Sequence, residues 1–139
     1  MAGIDAFGTQ LQRSDMAGSP TFTAIASVSE LSAPELSRDT MDVTAHDSPN
    51  GWREFLGSLK DGGEFSATLN YDPGDHDLLI ADLSDTVPRN YKMVWPSNIG
   101  HWDFAAILTG FKVSAPIDDK LGAEVTFKVS GQPAITTGP

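Results

Sequence analysis

The sequence contains no cysteine. That excludes disulfides, thiolate nucleophiles and cysteine-ligated zinc, and it suits a reducing compartment. Long apolar runs are also missing. No window approaches the ~18 consecutive apolar residues of a membrane span, so no membrane role is expected. The opening MAGIDAFGTQLQRSD has no basic region leading into an apolar stretch, which argues against a secretory signal. Basic residues are scarce, with 9 Lys and Arg against 19 Asp and Glu for a formal net charge of −10. A chain so acidic is a poor candidate for gripping phosphates, because tight nucleic-acid binders neutralise them with Lys and Arg. The charge fits either solubility by self-repulsion or a surface that faces DNA without holding it.

Catalytic and metal-binding patterns are absent as well. No HExxH, GxSxG or phosphate-loop spacing occurs. The histidine–carboxylate neighbours His46-Asp47, His76-Asp77 and His101 with Asp103 do not make dyads by adjacency, since neighbouring strand residues point to opposite faces. Asp72, Asp75, His76 and Asp77 lack the closing Glu of a calcium loop, and a helix cap accounts for Asp75 and Asp77. No cofactor, no metal and no enzymatic activity are expected.

What the chain does have is length for one core and a series of short alternating segments. With 139 residues, 40% of them hydrophobic, a single domain can bury roughly 68–70% of its unfolded surface. Residues 1–20, with Gly3, Gly8, Gly18 and Pro20, read as an irregular arm whose Ile4 and Phe7 could dock on a neighbour. Residues 21–131 read as the domain and 132–139 as an extended tail. Strands are predicted over 21–30, 38–45, 64–71, 90–95, 102–115 and 123–130. In the cleanest, Phe65, Ala67, Leu69 and Tyr71 oppose Glu64, Ser66, Thr68 and Asn70. In the last, Val125, Phe127 and Val129 oppose Glu124, Thr126 and Lys128. The apolar phase slips at Gly110, which predicts a β-bulge. A helix is predicted from about 75 to 84, capped by Asp75, with Leu79, Ile80 and Leu83 as its buried stripe.

Residues 45–63 form a long insertion punctuated by Pro49-Asn50-Gly51 and Asp61-Gly62-Gly63, yet Trp52, Phe55, Leu56 and Leu59 lie inside it. Their spacing fits a short helix over the chain's own core. It fits a contact with another subunit equally well. The pattern as a whole argues a mainly β fold: a β-sandwich or partial barrel of two packed sheets flanked by one α-helix. Trp95 and Trp102 read as core residues at strand ends. In a stand-alone binding or virion decoration module, the alternative reading, they would form an exposed aromatic platform.

The stretch VTAHDSPNGWREFLGSLKDGGEFSATLNYDPGD, running into a leucine-bearing helix, resembles the tail tube (major tail) proteins of long-tailed, lambda-type bacteriophages. The matching positions are Thr44, Asp47, Ser48, Trp52, Asp61, Gly62, Gly63, Tyr71, Asp72, Pro73 and Asp75. The resemblance implies two packed sheets with a helix beside them, a design shared with contractile tails and type VI secretion tubes. It implies hexameric rings stacked into a tube, with strands of each copy contributing to an inner barrel and the long loop reaching the adjacent ring. It further implies a place in the virion tail after assembly in the host cytoplasm. The implied partners are identical copies and tape-measure, tail terminator and tail initiator proteins, with DNA passing through the lumen without specific binding. On this reading Trp52, Phe55, Leu56, Ile4 and Phe7 make contacts between subunits or rings. The polar strand faces line the lumen, with Thr40, Asp42, Thr44, Glu64, Ser66, Thr68, Asn70, Lys112, Glu124, Thr126 and Lys128 as candidates and carboxylate expected in excess.

Overall fold

A computed structural model describes residues 3–16 and 21–138. Parts of the arm (1–2 and 17–20) and Pro139 lie outside the described residues. The chain order is β1 (Gln10–Ser14), β2 (Phe22–Ala24), β3 (Val28–Ser32), β4 (Ser37–Asp42), β5 (Phe55–Asp61), β6 (Glu64–Asn70), α1 (Pro73–His76), α2 (Leu78–Ala81), β7 (Arg89–Val94), β8 (Gly100–Ser114) and β9 (Gly122–Thr137). The fold is mainly β with two sheets of very unequal size. One has seven strands in the order β2-β1-β7-β8-β9-β6-β3, and the other is the two-stranded pair β4-β5.

The large sheet follows from alternation. On β6, β7, β8 and β9 every second side chain is apolar, so each strand contributes one row to a common interior. Phe65 and Phe127 stack with centroids 4.4 Å apart, Phe104 meets Phe65 edge-on at 4.8 Å, and Tyr91 meets Phe127 edge-on at 4.9 Å. Leu11 and Met93 complete this layer without exposed surface. A single sheet can enclose such an interior only by rolling, and β2 and β3, at opposite edges, are consecutive in the chain. Ser27, at φ 56°, lies in the corner between them, and Ile25 N–H donates to Leu11 O at 2.8 Å. The barrel is not closed by a ladder among the described residues. The predicted bulge at Gly110 is present, as a register shift between Leu108 and Gly110. A second lies between Asp103 and Ala105.

Several predicted boundaries move. The arm contains β1, which pairs with both β2 and β7. The strand predicted over 21–30 is broken at its corner into β2 and β3. The tail 132–139 belongs to β9 as far as Thr137, paired with Gly100. The insertion 45–63 is neither loop nor helix over its second half: Phe55, Leu56 and Leu59 lie in β5, antiparallel to β4. Strand β4, predicted to be half-buried, is exposed along its whole length.

The helical segment starts earlier than predicted and buries a different stripe. Asp72, not Asp75, caps it, accepting from Gly74 N–H at 3.0 Å. His76, Leu79 and Asp82 point inward, whereas Ile80 and Leu83 are exposed. Spacing by three suits a segment made of short turns that ends in a 3₁₀ turn at Asp82–Ser84. Its two buried polar residues anchor it. His76 Nδ1 accepts from Asp72 N–H at 3.0 Å while Nε2 donates to Ala26 O at 2.7 Å. Asp82 accepts two bonds of 2.6 Å from Arg13 and lies 3.5 Å from Arg89, which also forks onto Asp85 and donates to Ser14 O. At the other end of the ribbon strand β5, Gly63 has φ +70°, and a Cβ there would meet Glu35 O at 2.3 Å. Only glycine fits that turn.

Two predictions follow from this packing. Asp82→Ala strands the Arg13 guanidinium in a mostly covered site and leaves Arg89 with the Asp85 carboxylate alone, so urea unfolding should show a loss of about 3–5 kcal/mol. Tyr91 is fully buried, and its hydroxyl has no partner among the described residues. Burial, reinforced by Asp82, raises its pKa. Tyr91→Phe should therefore be neutral or stabilising in the same assay, while Tyr91→Ala costs about 3–5 kcal/mol.

Candidate assembly surfaces

The β4–β5 pair is a ribbon standing off the main sheet. Its turn is built by local polar bonds. Ala45 N–H donates to Ser48 Oγ at 2.9 Å, Ser48 Oγ–H donates to Glu54 at 2.7 Å, and Glu54 N–H donates to Thr44 Oγ1 at 2.8 Å. Asp42 accepts from Thr44 N–H at 2.8 Å and meets Arg53 at 3.3 Å. The bonds with Thr44 hold the Asp42 carboxyl below the usual range. Asp42 and Thr44 thus brace the ribbon, away from the other lumen candidates.

Apolar side chains line this ribbon without cover. Trp52 is 74% exposed and Leu59 79%, and Met41, Phe55 and Leu56 are each at least half exposed. An isolated two-stranded ribbon is marginal in water at best, and large contiguous apolar patches are uncommon on the surface of a monomeric protein. Phe7, 88% exposed, and Ile4 lie apart from it on the N-terminal segment. They border a groove of about 820 Å³ whose other walls include Leu31, Trp95 and Ile99. Trp95 and Trp102 meet edge-on at 5.8 Å and pack against the core, so they form no exposed platform.

The remaining lumen candidates do come together. The pairing of β6 with β9 sets Glu64 opposite Lys128, Ser66 opposite Thr126 and Thr68 opposite Glu124. The pairing of β8 with β9 adds Lys112 opposite Glu124, and β3 adds Glu30 opposite Thr68. These residues, with Asn70, occupy the outer side of the rows whose alternate members are buried. Asp61 lies 3.5 Å from Lys128. Its carboxyl is held low first by Gly63 N–H and then by Lys128. Carboxylates at Glu30, Asp61, Glu64 and Glu124 outnumber the ammonium groups of Lys112 and Lys128, and each lysine stands opposite a carboxylate.

Of the histidine–carboxylate neighbours, His76 has both ring nitrogens engaged by backbone. Tyr71, beside it, donates to Asp77, and that bond raises the phenol's pKa. Among the described residues no group of three or more His, Asp and Glu is arranged to hold a metal ion. The sequence reading missed the exposed outer face of the helical segment (Leu78, Ile80, Leu83) and Ile117, fully exposed between β8 and β9. For Ile117 the signal was available: an isoleucine between Pro116 and Asp118-Asp119 has no strand to join.

Known proteins share this architecture. The tail of an empty gene transfer agent particle, refined with C6 symmetry, superposes with a TM-score of 0.78 at 19% identity, covering 97% of this chain and 100% of that one. A chain of the native gene transfer agent virion superposes with a TM-score of 0.72 at 20% identity, covering 92% and 95%. A chain in the sheath/tube terminator structure of an extracellular contractile injection system gives 0.72 at 12% identity, covering 97% of each. A comparison with curated proteins finds no match. The family described as lambda phage tail tube protein, TTP, matches residues 7–136, nearly the whole sequence, and the chain belongs to that family.

Proposed function

We propose that this chain is the repeating subunit of a phage tail tube, assembled as stacked hexameric rings. The observation that carries this reading is the uncovered β4–β5 ribbon, whose apolar side chains have no covering surface among the described residues. A neighbouring copy supplies one. A head-to-tail contact between copies closes into a ring when its rotation closes, and strands pooled across copies open a channel that one chain cannot make. The C6 symmetry of the gene transfer agent tail supports six copies per ring. Trp52, Phe55 and Leu56 pack against an adjacent subunit, and Ile4 and Phe7 make a second contact. Tail terminator, tail initiator and tape-measure proteins cap, start and measure the tube. Its place is the virion tail, after assembly in the host cytoplasm.

The polar face of β6 and β9 lines the channel, with Glu64, Ser66, Thr68, Asn70, Glu124 and Thr126 toward the DNA and Lys112 and Lys128 matched by carboxylates. Such a wall repels phosphate weakly and offers it no unmatched cation, so DNA slides without being held. Thr40, Asp42 and Thr44, on the ribbon, belong to its scaffold instead.

Electron microscopy and sedimentation of the purified chain test the assembly. Rings or tubes are expected for the wild type, and a monomer at every concentration would overturn the reading. Trp52→Asp and Leu56→Asp should abolish tubes while leaving unfolding within about 0.5 kcal/mol of wild type, as for other exposed positions. The lumen assignment has its own test. Tubes carrying Glu64→Lys and Glu124→Lys should retain DNA at low salt and release it as salt rises, whereas wild-type tubes retain none. Equal retention by both would place this face elsewhere.

A further inference from the structure

We infer that the turn between β8 and β9 of one copy seats in a groove at the far end of the same hairpin in a second copy, giving the tube its axial contact. This rests on the tail-tube reading and specifies one interface within it. The groove, of about 680 Å³, lies between the base of the ribbon and the C-terminal half of β9, lined by Leu36, Arg38, Lys60, Val129, Pro133 and Ile135 among others. It adjoins an open strand edge. Beyond Lys128, β9 has passed the end of β6, and among the described residues Ala134 to Thr137 pair only with β8.

The turn offers a complementary shape and charge. Ile117 is fully exposed, and Asp118 and Asp119 follow it. Among the described residues neither aspartate has a cation partner. Arg38 and Lys60 in the groove likewise have no carboxylate partner, Arg38 donating only to Ser58 O at 3.3 Å. Asp61 also borders the groove but is engaged by Lys128. Lys120 leaves the turn with one net negative charge against two cations. Ile117 therefore has an apolar seat, and the aspartates have cations to meet at its rim.

The two features cannot meet within one copy. The turn follows Ser114, which pairs with Gly122, while Ile135 of the groove pairs with Trp102. The strand between Trp102 and Ser114 is roughly 40 Å along its contour at about 3.3 Å per residue. A contact joining opposite ends of one hairpin is heterologous, so it either closes into a ring or runs on as a filament. The axial assignment makes it the second, with covalent multimers extending past six copies.

The absence of native cysteine makes the test direct. The full-length chain with Ile117→Cys and Ile135→Cys, assembled and oxidised, should give a ladder of covalent multimers that neither single variant gives. Ile117→Asp, and separately Asp118→Lys with Asp119→Lys, should raise the concentration needed for tubes at least tenfold with circular dichroism unchanged. Adding Arg38→Glu and Lys60→Glu to the lysine variant should restore assembly. Tubes from Ile117→Asp at the wild-type concentration, with no ladder from the cysteine pair, would overturn this contact and leave the tail-tube reading standing. A wild type that forms neither ring nor tube would overturn both.

Discussion

The structure depends on one packing constraint: a seven-stranded sheet must bury its apolar face against itself. Among the described residues no second sheet of comparable size covers it, so the sheet rolls until Phe65, Tyr91, Phe104 and Phe127, from four strands, meet in one layer. Rolling brings the two edge strands β2 and β3 to either side of a single corner, and the interior is then complete. Nothing apolar inside the roll is left to receive the β4–β5 ribbon. The same constraint that makes the core self-sufficient therefore leaves an uncovered ribbon, and a chain with a closed interior and an open appendage is suited to repetition.

Buried polar groups hold the parts of the roll in place where apolar packing is indifferent. The helical segment is short and its outer face is exposed, so propensity alone would not maintain it. His76 ties its start to the corner at Ala26, and Asp82 ties its end to β1 and β7 through Arg13 and Arg89. Both are directional and fully covered, so they fix the segment's position as a hydrophobic stripe would not. They are also chemistry-bearing residues spent on architecture, which is why histidine and aspartate in this chain signal packing.

Much of this was legible in the chain. The rows of β6 and β9, the bulge at Gly110 and the family resemblance over residues 43–75 rest on local pattern, and they led to a mainly β fold and a tail tube subunit. The errors share a cause. Phe55, Leu56 and Leu59 satisfy helical and strand spacing alike, and only pairing with β4 decides between them. Ile80 and Leu83 were expected inside because they are apolar. His76 and Asp82 took those positions because Ala26, Arg13 and Arg89 were there to satisfy them, and such partners are distant in sequence. Asp42 and Thr44 stand at the mouth of the ribbon's turn, where Arg53 and Glu54 reach back to them from its other side.

The sequence by itself determined which side chains alternate, that no thiol chemistry is available and that the chain is acidic, because these are properties of composition and of neighbours along the chain. Only the tertiary structure decided that the strands make one rolled sheet and a free ribbon, that Glu64 faces Lys128 and that the Ile117 turn and the groove at Ile135 lie at opposite ends. Strand order and register come from contacts between segments far apart in the chain, and a one-residue change of register would have sent every one of those side chains to the other face.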